Sequence, residues 1–200
     1  MNTKKFATTI VFAALTVALN PVLTGIGIPA PYAPFLIYQL WEIPIVAAFL
    51  LIGPKSGISI TILNTAVLLA IFPGALPTGP IYNLIAVLAM LLGIHVSQKV
   101  LSLKPIQPKK QKIWFRTTSV ITAFTTAFGL IFRVIVMVFV NYALLGNPPP
   151  IGYSLPTLVV LGYIPLIMLF NATLALYTIP IGQYIAKTAR TNLKINMGGV

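Results

Sequence analysis

Residues 39–57 read QLWEIPIVAAFLLIGPKSG, and this stretch decides how the chain is built. It places Glu42, the sole acidic residue among 200, directly before an apolar run that ends in a Gly-Pro turn. Such a run is typical of a helix in lipid, where a carboxylate is costly and is expected to face a partner or a wet cavity. The fold must therefore provide Glu42 with a neighbour inside a membrane.

The whole sequence has the composition of a membrane protein. It is 58% hydrophobic and 7% charged, whereas soluble domains carry about a quarter charged residues. Apolar stretches near 20 residues alternate with Pro/Gly-rich or basic segments, which predicts transmembrane helices. We expect an all-α integral membrane protein with a single transmembrane domain over residues 1–200 and no soluble appendage.

Six transmembrane helices are predicted, and proline, glycine or charge explains the breaks between them. The spans cover 5–24, 36–53, 56–72, 79–100, 116–144 and 156–187. The intervening segments are NPVLTGIGIPAPYAP (20–34), GPKSG (53–57), FPGALPTGP (72–80), the basic SLKPIQPKKQK (102–112) and GNPPPIGY (146–153).

The basic residues set the predicted orientation. In the six-span arrangement, 12 of the 13 lie on one side: Lys4, Lys5, Lys55, Lys99, Lys104, Lys109, Lys110, Lys112, Arg116, Lys187, Arg190 and Lys194. The positive-inside rule makes this side cytoplasmic, with both termini inside and the protein multi-pass in the cell (cytoplasmic) membrane. The net charge of +12 is then a topology signal with some attraction to anionic lipids, and no nucleic-acid partner is expected.

The first span is expected to remain in the protein. An N-terminal MNTKK followed by an apolar run also fits a cleaved signal peptide. The alanines that follow the run, Ala30 and Ala33, are each succeeded by proline, which disfavours cleavage there.

The thirteenth cation, Arg133, lies inside the fifth span in FGLIFRVIVMVFVNY (128–142). The predicted spans put it about 16 Å below the outer surface and Glu42 about 9 Å below the same surface. Two interpretations remain open: a structural ion pair between the second and fifth spans, or polar walls of an outward-facing substrate pocket. One pair of residues can serve both roles.

Asparagines and aromatic residues form a second group of candidates. Asn83 and Asn141 lie near outer ends of spans, Asn171 about midway along the sixth, and Asn64 at mid-depth in the third. An amide donates and accepts hydrogen bonds without a charge, which suits a neutral polar ligand, although ordinary interhelical hydrogen bonding explains any single one. The candidate apolar walls are Tyr38, Trp41, Tyr82 and Tyr142, for which an interfacial aromatic belt is the alternative.

Enzymatic chemistry is not expected, nor is a metal or cofactor. The chain has one histidine, His95, one carboxylate and no cysteine, so a metal ligand set or a catalytic triad lacks members. It also has no Walker A sequence, so ATP-driven work would need another subunit. In FAALTVALN (12–20), the pair Ala14 and Ala18 has small-xxx-small spacing, which allows close helix packing inside the bundle or on a partner.

Several stretches together resemble the substrate-binding S components of energy-coupling factor (ECF) vitamin transporters, most of all the riboflavin type. They are EIPIVAAFLLIGPKSG (42–57), RVIVMVFVNYALL (133–145) and IPLIMLFNATLALYTIPIG (164–182), in matching order and six-span layout. The resemblance extends over nearly the whole chain. Glu42 before Ile-Pro also matches an acidic position of riboflavin-type members.

The resemblance implies capture of a vitamin from outside, with a transmembrane coupling subunit and two cytoplasmic ATPases as partners. It implies that Ala14 and Ala18 contact the coupling subunit, that the loop 23–36 closes over the pocket, and that Asn141 and Asn171 bind the ligand ring. Where riboflavin-type members often carry a lysine, three residues after the second asparagine, this chain has Leu174. That departure admits a related heterocycle or another vitamin.

The expected function is therefore the S subunit of an ECF-type importer for riboflavin or a related heteroaromatic vitamin. Its expected anchors and walls are Tyr38, Trp41, Glu42, Tyr82, Asn83, Arg133, Asn141, Tyr142 and Asn171. The alternatives are an S component for a different vitamin, a membrane scaffold without a ligand, an intramembrane enzyme that uses Glu42, and a carrier that works without ATPases.

Overall fold

In a computed structural model of the protein, residues 3–25, 27–71, 76–102 and 111–192 are described. The elements in chain order are α1 (Thr3–Ala18), α2 (Pro21–Thr24), β1 (Ile28–Ala30), β2 (Ala33–Tyr38), α3 (Glu42–Leu51), α4 (Pro54–Ile71), α5 (Gly79–Ser102), α6 (Gln111–Leu144) and α7 (Thr157–Asn192). Four of the lysines assigned to the basic side fall outside the described residues: Lys104, Lys109, Lys110 and Lys194.

The helical, membrane-spanning architecture is confirmed. Within the described ranges the structure has seven helices, so the predicted count of six is not confirmed; α2 is the short additional helix. Four are long and apolar enough to cross a bilayer: Pro54–Ile71, Gly79–Leu101, Ser119–Leu144 and Thr157–Thr191. The chain is thus a multi-pass membrane protein, while its orientation stays a prediction. Following that prediction, the end of the bundle with the segments 76–78 and 145–156 is called the outer end.

The predicted lengths of the first two spans are wrong. α1 ends at Ala18 because the Asn20 side chain accepts a hydrogen bond from the Val22 N–H (3.1 Å) and starts α2 instead. α3 begins at Glu42 and not at 36, because the preceding residues form β2. With ten residues α3 is about 15 Å long, half of a hydrocarbon core of about 30 Å.

The segment before α3 contains a β-hairpin that the sequence analysis did not anticipate. β1 and β2 pair antiparallel, with Ile28 opposite Tyr38 and Ala30 opposite Ala33. Ala30 is fully buried and packs with Phe170 and Leu174 of α7. The hairpin thus lies against α7. Pairing between its two strands satisfies backbone N–H and C=O groups, for which lipid offers no hydrogen-bond partner.

α3 lies in the centre of the bundle. It packs against α1, α4 and α7, and nine of its ten residues are buried. A helix that is apolar around its whole circumference is stable only in such a position. Its ends carry complementary charges: Glu42 lies in the first turn, and Arg190 donates a hydrogen bond to the Leu50 carbonyl (3.2 Å) in the last turn.

Glycines mark the places where helices approach most closely. Gly57 of α4 faces Phe49 of α3, and Gly182 of α7 faces Val46 of α3. Between α5 and α6, a Cβ added at Gly93 would lie 2.5 Å from the Phe128 carbonyl oxygen. Small residues are typical of such contacts in membranes, because dispersion forces between closely packed backbones replace the hydrophobic effect.

We expect Gly93→Ala to lower the free energy of unfolding by about 1–3 kcal/mol, because the new methyl group meets backbone atoms that cannot rotate away. Gly162→Ala in α7 is the matched control, since nothing lies within 4 Å of a Cβ added there. That variant should be neutral or up to about 1 kcal/mol more stable. Thermal unfolding of the purified proteins in detergent makes the comparison, and equal midpoints for the two variants would contradict the close packing of α5 on α6.

Candidate functional site

The centre of the site is a buried ion pair between α3 and α6. Arg133 donates from Nη1 to Glu42 Oε2 (2.5 Å) and from Nη2 to Glu42 Oε1 (2.9 Å), and each side chain is 1% exposed. This two-point geometry matches the planar guanidinium to the planar carboxylate and gives strong charge-assisted hydrogen bonds. The only acidic residue of the sequence is thereby neutralised inside the bundle.

Two further helices complete the network around Arg133. Its Nε donates to the Asn171 side-chain oxygen of α7 (2.9 Å), and Nη1 lies 3.7 Å from the Met90 sulfur of α5. The Asn171 amide nitrogen in turn donates to the Ile167 carbonyl (2.9 Å) one turn earlier. One guanidinium therefore links α3, α5, α6 and α7.

The ion pair relates the level of Glu42 in the bundle to that of Arg133. Arg133 lies eleven residues before the end of α6 at Leu144, or about 16 Å from the outer end. The Glu42 carboxylate contacts the Arg133 guanidinium directly, so it lies at the level that the Arg133 side chain reaches. Glu42 is the first residue of α3 and not part of the second turn of a longer helix.

A second group of candidates lies nearer the outer end. Tyr82 packs with Leu76 and Met137, and its hydroxyl donates to the Ile151 carbonyl (2.8 Å). Asn141 is buried, and its amide nitrogen donates to the Met137 carbonyl (2.7 Å) of its own helix. Asn141 lies eight residues from Arg133, about 12 Å along α6, so the structure does not bring these two together.

Asn83 and Tyr142 are the least enclosed of the predicted site residues. Asn83 is half-buried near the start of α5. Tyr142 is 53% exposed and lines a separate cavity of about 280 Å³ with Gly146 and Leu155. The structure therefore leaves Tyr142 apart from the aromatic residues beside the hairpin.

Tyr38 and Trp41 lie directly before α3. The Tyr38 hydroxyl is 2.8 Å from the Tyr32 hydroxyl and 2.9 Å from Thr173 Oγ1, and its ring centroid is 5.2 Å from that of Phe170. Burial, followed by the hydrogen bond with Tyr38, raises the pKa of the Tyr32 phenol. Trp41 is buried and donates through Nε1 to the Gln39 side chain.

Sequence reasoning missed four contributors to the site: Gln39, Met90, Thr173 and Tyr177. The Tyr177 hydroxyl donates to the Gln39 carbonyl (2.6 Å), and Thr173 holds Tyr38, so one face of α7 fastens the segment that leads into α3. The spacing of Phe170, Thr173 and Tyr177 follows one helix face and would have indicated this. Nothing in the sequence marks Met90.

Leu174 is 1% exposed and lies under the hairpin with Ala30 and Phe170. A charged side chain would be uncompensated in this apolar cluster. At this position the wall of α7 is therefore apolar.

A groove on the outside of the bundle contains the two predicted contact alanines. Ala14 and Ala18 are exposed and line a groove of about 640 Å³ between α1 and α4, together with Val17, Ile60 and Leu63. Its walls are almost wholly apolar, and the alanines leave room for an approaching helix.

Comparison with solved structures identifies the architecture. A structure described as the S component of a bacterial ECF transporter superposes with a TM-score of 0.57 at 20% sequence identity, covering 97% of this chain and 99% of that chain. The fold is that of an ECF S component. No family model and no curated protein matches the sequence of the chain. The S-component fold is thus recognised from the arrangement of the helices along the entire chain.

We expect Glu42→Gln to lower the free energy of unfolding by about 3–5 kcal/mol, because it leaves the Arg133 charge buried without a partner. The double variant Glu42→Gln with Arg133→Met should recover most of that loss, since it removes both charges. Chemical or thermal unfolding in detergent measures both. If the double variant is as unstable as the sum of the single variants, the two residues do not act as a pair.

Proposed function

We propose that this protein is the substrate-capture subunit of an ECF-type, ATP-driven importer that binds riboflavin or a related small heteroaromatic vitamin from outside the cell. The observation that carries the proposal is the S-component fold, matched over 97% of the chain. The sequence supports it independently, because its resemblance to riboflavin-type S components covers the same helices.

The proposed ligand site lies in the outer half of the bundle, between the hairpin, α5, α6 and α7. Glu42, Arg133 and Asn171 form its inner end, and their hydrogen bonds supply a rigid, electrically neutral base. Tyr38, Trp41 and Tyr82 are the proposed apolar walls, and Asn83, Asn141 and Tyr142 are proposed to contribute nearer the entrance. The hairpin, held by Tyr38 and Thr173, is the proposed cover.

The proposed partners are a transmembrane coupling subunit and two cytoplasmic ATPases, in the cytoplasmic membrane with both termini inside. The absence of a Walker A sequence supports the need for separate ATPases. The groove at Ala14 and Ala18 is the proposed contact for the coupling subunit, because its apolar, small-residue surface suits a transmembrane helix.

We expect riboflavin or a related heteroaromatic vitamin to raise the unfolding temperature of the purified protein, since a ligand that binds only the native state stabilises it. The assay uses a panel of water-soluble vitamins. The vitamin that is the substrate should stabilise the native protein by about 2.7 kcal/mol when it is added at about 100 times its Kd. The absorption spectrum of the purified protein provides a second readout, because a retained heterocycle absorbs light. A panel without any shift, and protein without bound heterocycle, would favour a membrane scaffold instead.

We expect Ala14→Trp to abolish vitamin uptake that depends on the ATPases, while vitamin binding by the isolated protein is preserved. The indole would fill the groove between α1 and α4, far from the polar network. Ala123→Trp on the exposed face of α6 is the matched control and should leave uptake intact. Full uptake with Ala14→Trp would place the coupling subunit on another face.

A further inference from the structure

The β-hairpin contacts the bundle mainly at α7. Among the described residues, no backbone hydrogen bond joins β1 or β2 to a helix, and the backbone bonds of the strands run between the strands themselves. The hairpin and the residue that follows it meet α7 through one apolar cluster and through side-chain hydroxyl groups. α7 therefore carries the contacts that decide whether the hairpin stays in place.

The apolar part of this contact lies beside the turn of the hairpin. Ala30 is fully buried and packs with Phe170 and Leu174. The ring of Tyr38 also lies against Phe170, with 5.2 Å between the ring centroids. Apolar contacts are non-directional, so they hold the hairpin close to α7 without fixing a single position for it.

A directed chain of hydroxyl groups fixes that position. Thr173 Oγ1 donates to carbonyl oxygens of its own helix, those of Leu169 and Phe170 (both 2.9 Å). Its one proton is thereby used, so the Tyr38 hydroxyl is the donor in its 2.9 Å bond to Thr173, and Tyr32 is the donor to Tyr38 over 2.8 Å. Hydrogen bonds linked head to tail in this way polarise and strengthen one another.

A second hydroxyl of α7 holds the residue that follows β2. The Tyr177 hydroxyl donates to the Gln39 carbonyl over 2.6 Å. Tyr177 comes four residues after Thr173, about one helical turn, so both hydroxyls reach this part of the chain from the same face of α7. Each of these bonds joins two groups of the protein itself, so the closed position of the hairpin is maintained by the chain alone.

The opposite rim of the outer end is fastened in a different way. The N–H groups of Tyr153 and Leu155 both donate to the Leu145 carbonyl (3.1 and 3.3 Å), directly after α6. The Tyr82 hydroxyl of α5 donates to the Ile151 carbonyl (2.8 Å). Segment 145–156 is thus tied to the ends of α5 and α6 through its backbone, whereas the hairpin is tied to α7 by two hydroxyl contacts. Of these two rims, the hairpin opens at the lower free-energy cost.

We propose that Thr173 and Tyr177 form a latch that holds the hairpin shut over the proposed ligand site, so that release of the hairpin from α7 sets the rate at which a ligand enters. The proposal rests on the proposed function and deepens it, because it assigns control of ligand entry to two residues of α7. Neither residue belongs to the site expected from the sequence.

The test uses the absence of cysteine from the sequence. Ala30→Cys introduces a single thiol between the hairpin and α7, because Ala30 is fully buried there. A water-soluble maleimide reaches this thiol only while the hairpin is open, so the labelling rate of the purified protein in detergent is proportional to the open fraction. Ala33→Cys, at a position that is 1% exposed and pairs with Ala30, is the second reporter if the first protein does not fold.

We expect Tyr177→Phe and Thr173→Val each to raise the labelling rate of the Ala30→Cys protein about fivefold, because each removes a hydrogen bond that only the closed hairpin makes. Together they should raise it about 25-fold if the two contacts act independently. Tyr184→Phe is the matched control. It removes a tyrosine hydroxyl from the same face of α7 about two turns farther on, where the side chain is 70% exposed, and it should leave the rate unchanged.

A thiol in the core separates opening of the hairpin from loss of the fold. Ala48→Cys places it in α3, where Ala48 is fully buried, and its labelling should stay slow in both latch variants. Equal acceleration of the Ala30→Cys and Ala48→Cys proteins would overturn the proposal, since the two hydroxyls would then stabilise the whole bundle. An unchanged labelling rate of the Ala30→Cys protein in both latch variants would overturn it as well.

Ligand entry is measured separately, from the quenching of riboflavin fluorescence after rapid mixing with the protein. Because a ligand enters only the open fraction, both latch variants should raise the association rate constant about fivefold, and Tyr184→Phe should leave it unchanged. Faster labelling with an unchanged association rate constant would overturn the assignment of ligand entry to the hairpin. A protein that binds no vitamin would overturn the proposed function, and the labelling rates would still decide whether the latch exists.

Discussion

The structure depends on the ion pair between Glu42 and Arg133. Neither charge is tolerable alone at this depth, so α3 and α6 are held at one relative height by a two-point contact that no other residue pair can replace. Asn171 and Met90 fill the remaining sides of the guanidinium and bring in α7 and α5. The two parallel hydrogen bonds between guanidinium and carboxylate offset the free-energy cost of removing both charges from water. They also fix how α3 and α6 pack against each other.

The height of Glu42 has a direct consequence for the outer half of the bundle. Because α3 begins only at Glu42, the chain before it is not helical and forms the hairpin instead. The hairpin is fastened to α7 through Tyr38, Thr173 and Tyr177 and covers Leu174. In the proposed function, the polar groups form the inner end of the ligand site and the hairpin forms its cover, so binding would need only a local rearrangement of the hairpin.

The outside of the bundle is organised differently from the inside. Around α3, close contacts at Gly57 and Gly182 leave little freedom for relative motion. The groove between α1 and α4 instead exposes small residues to the membrane, so the chain presents an apolar surface that a second protein can cover without disturbing the contacts of Arg133. The proposed ligand site and the proposed partner contact thus lie on the interior and on the exterior of one small fold.

The sequence by itself determined the membrane environment, the approximate helices from α4 to α7, and the presence of one acid and one intramembrane cation that needed each other. These follow from local properties, since an apolar run of sufficient length forms a helix in lipid whatever surrounds it. The hairpin, the start of α3 and the exposure of Tyr142 came only from the tertiary structure. The segment 28–38 is short, proline-broken and apolar, so its conformation is decided by α7, against which it packs. The position of a side chain within the bundle depends on contacts with neighbouring helices, and no single run of sequence contains those contacts.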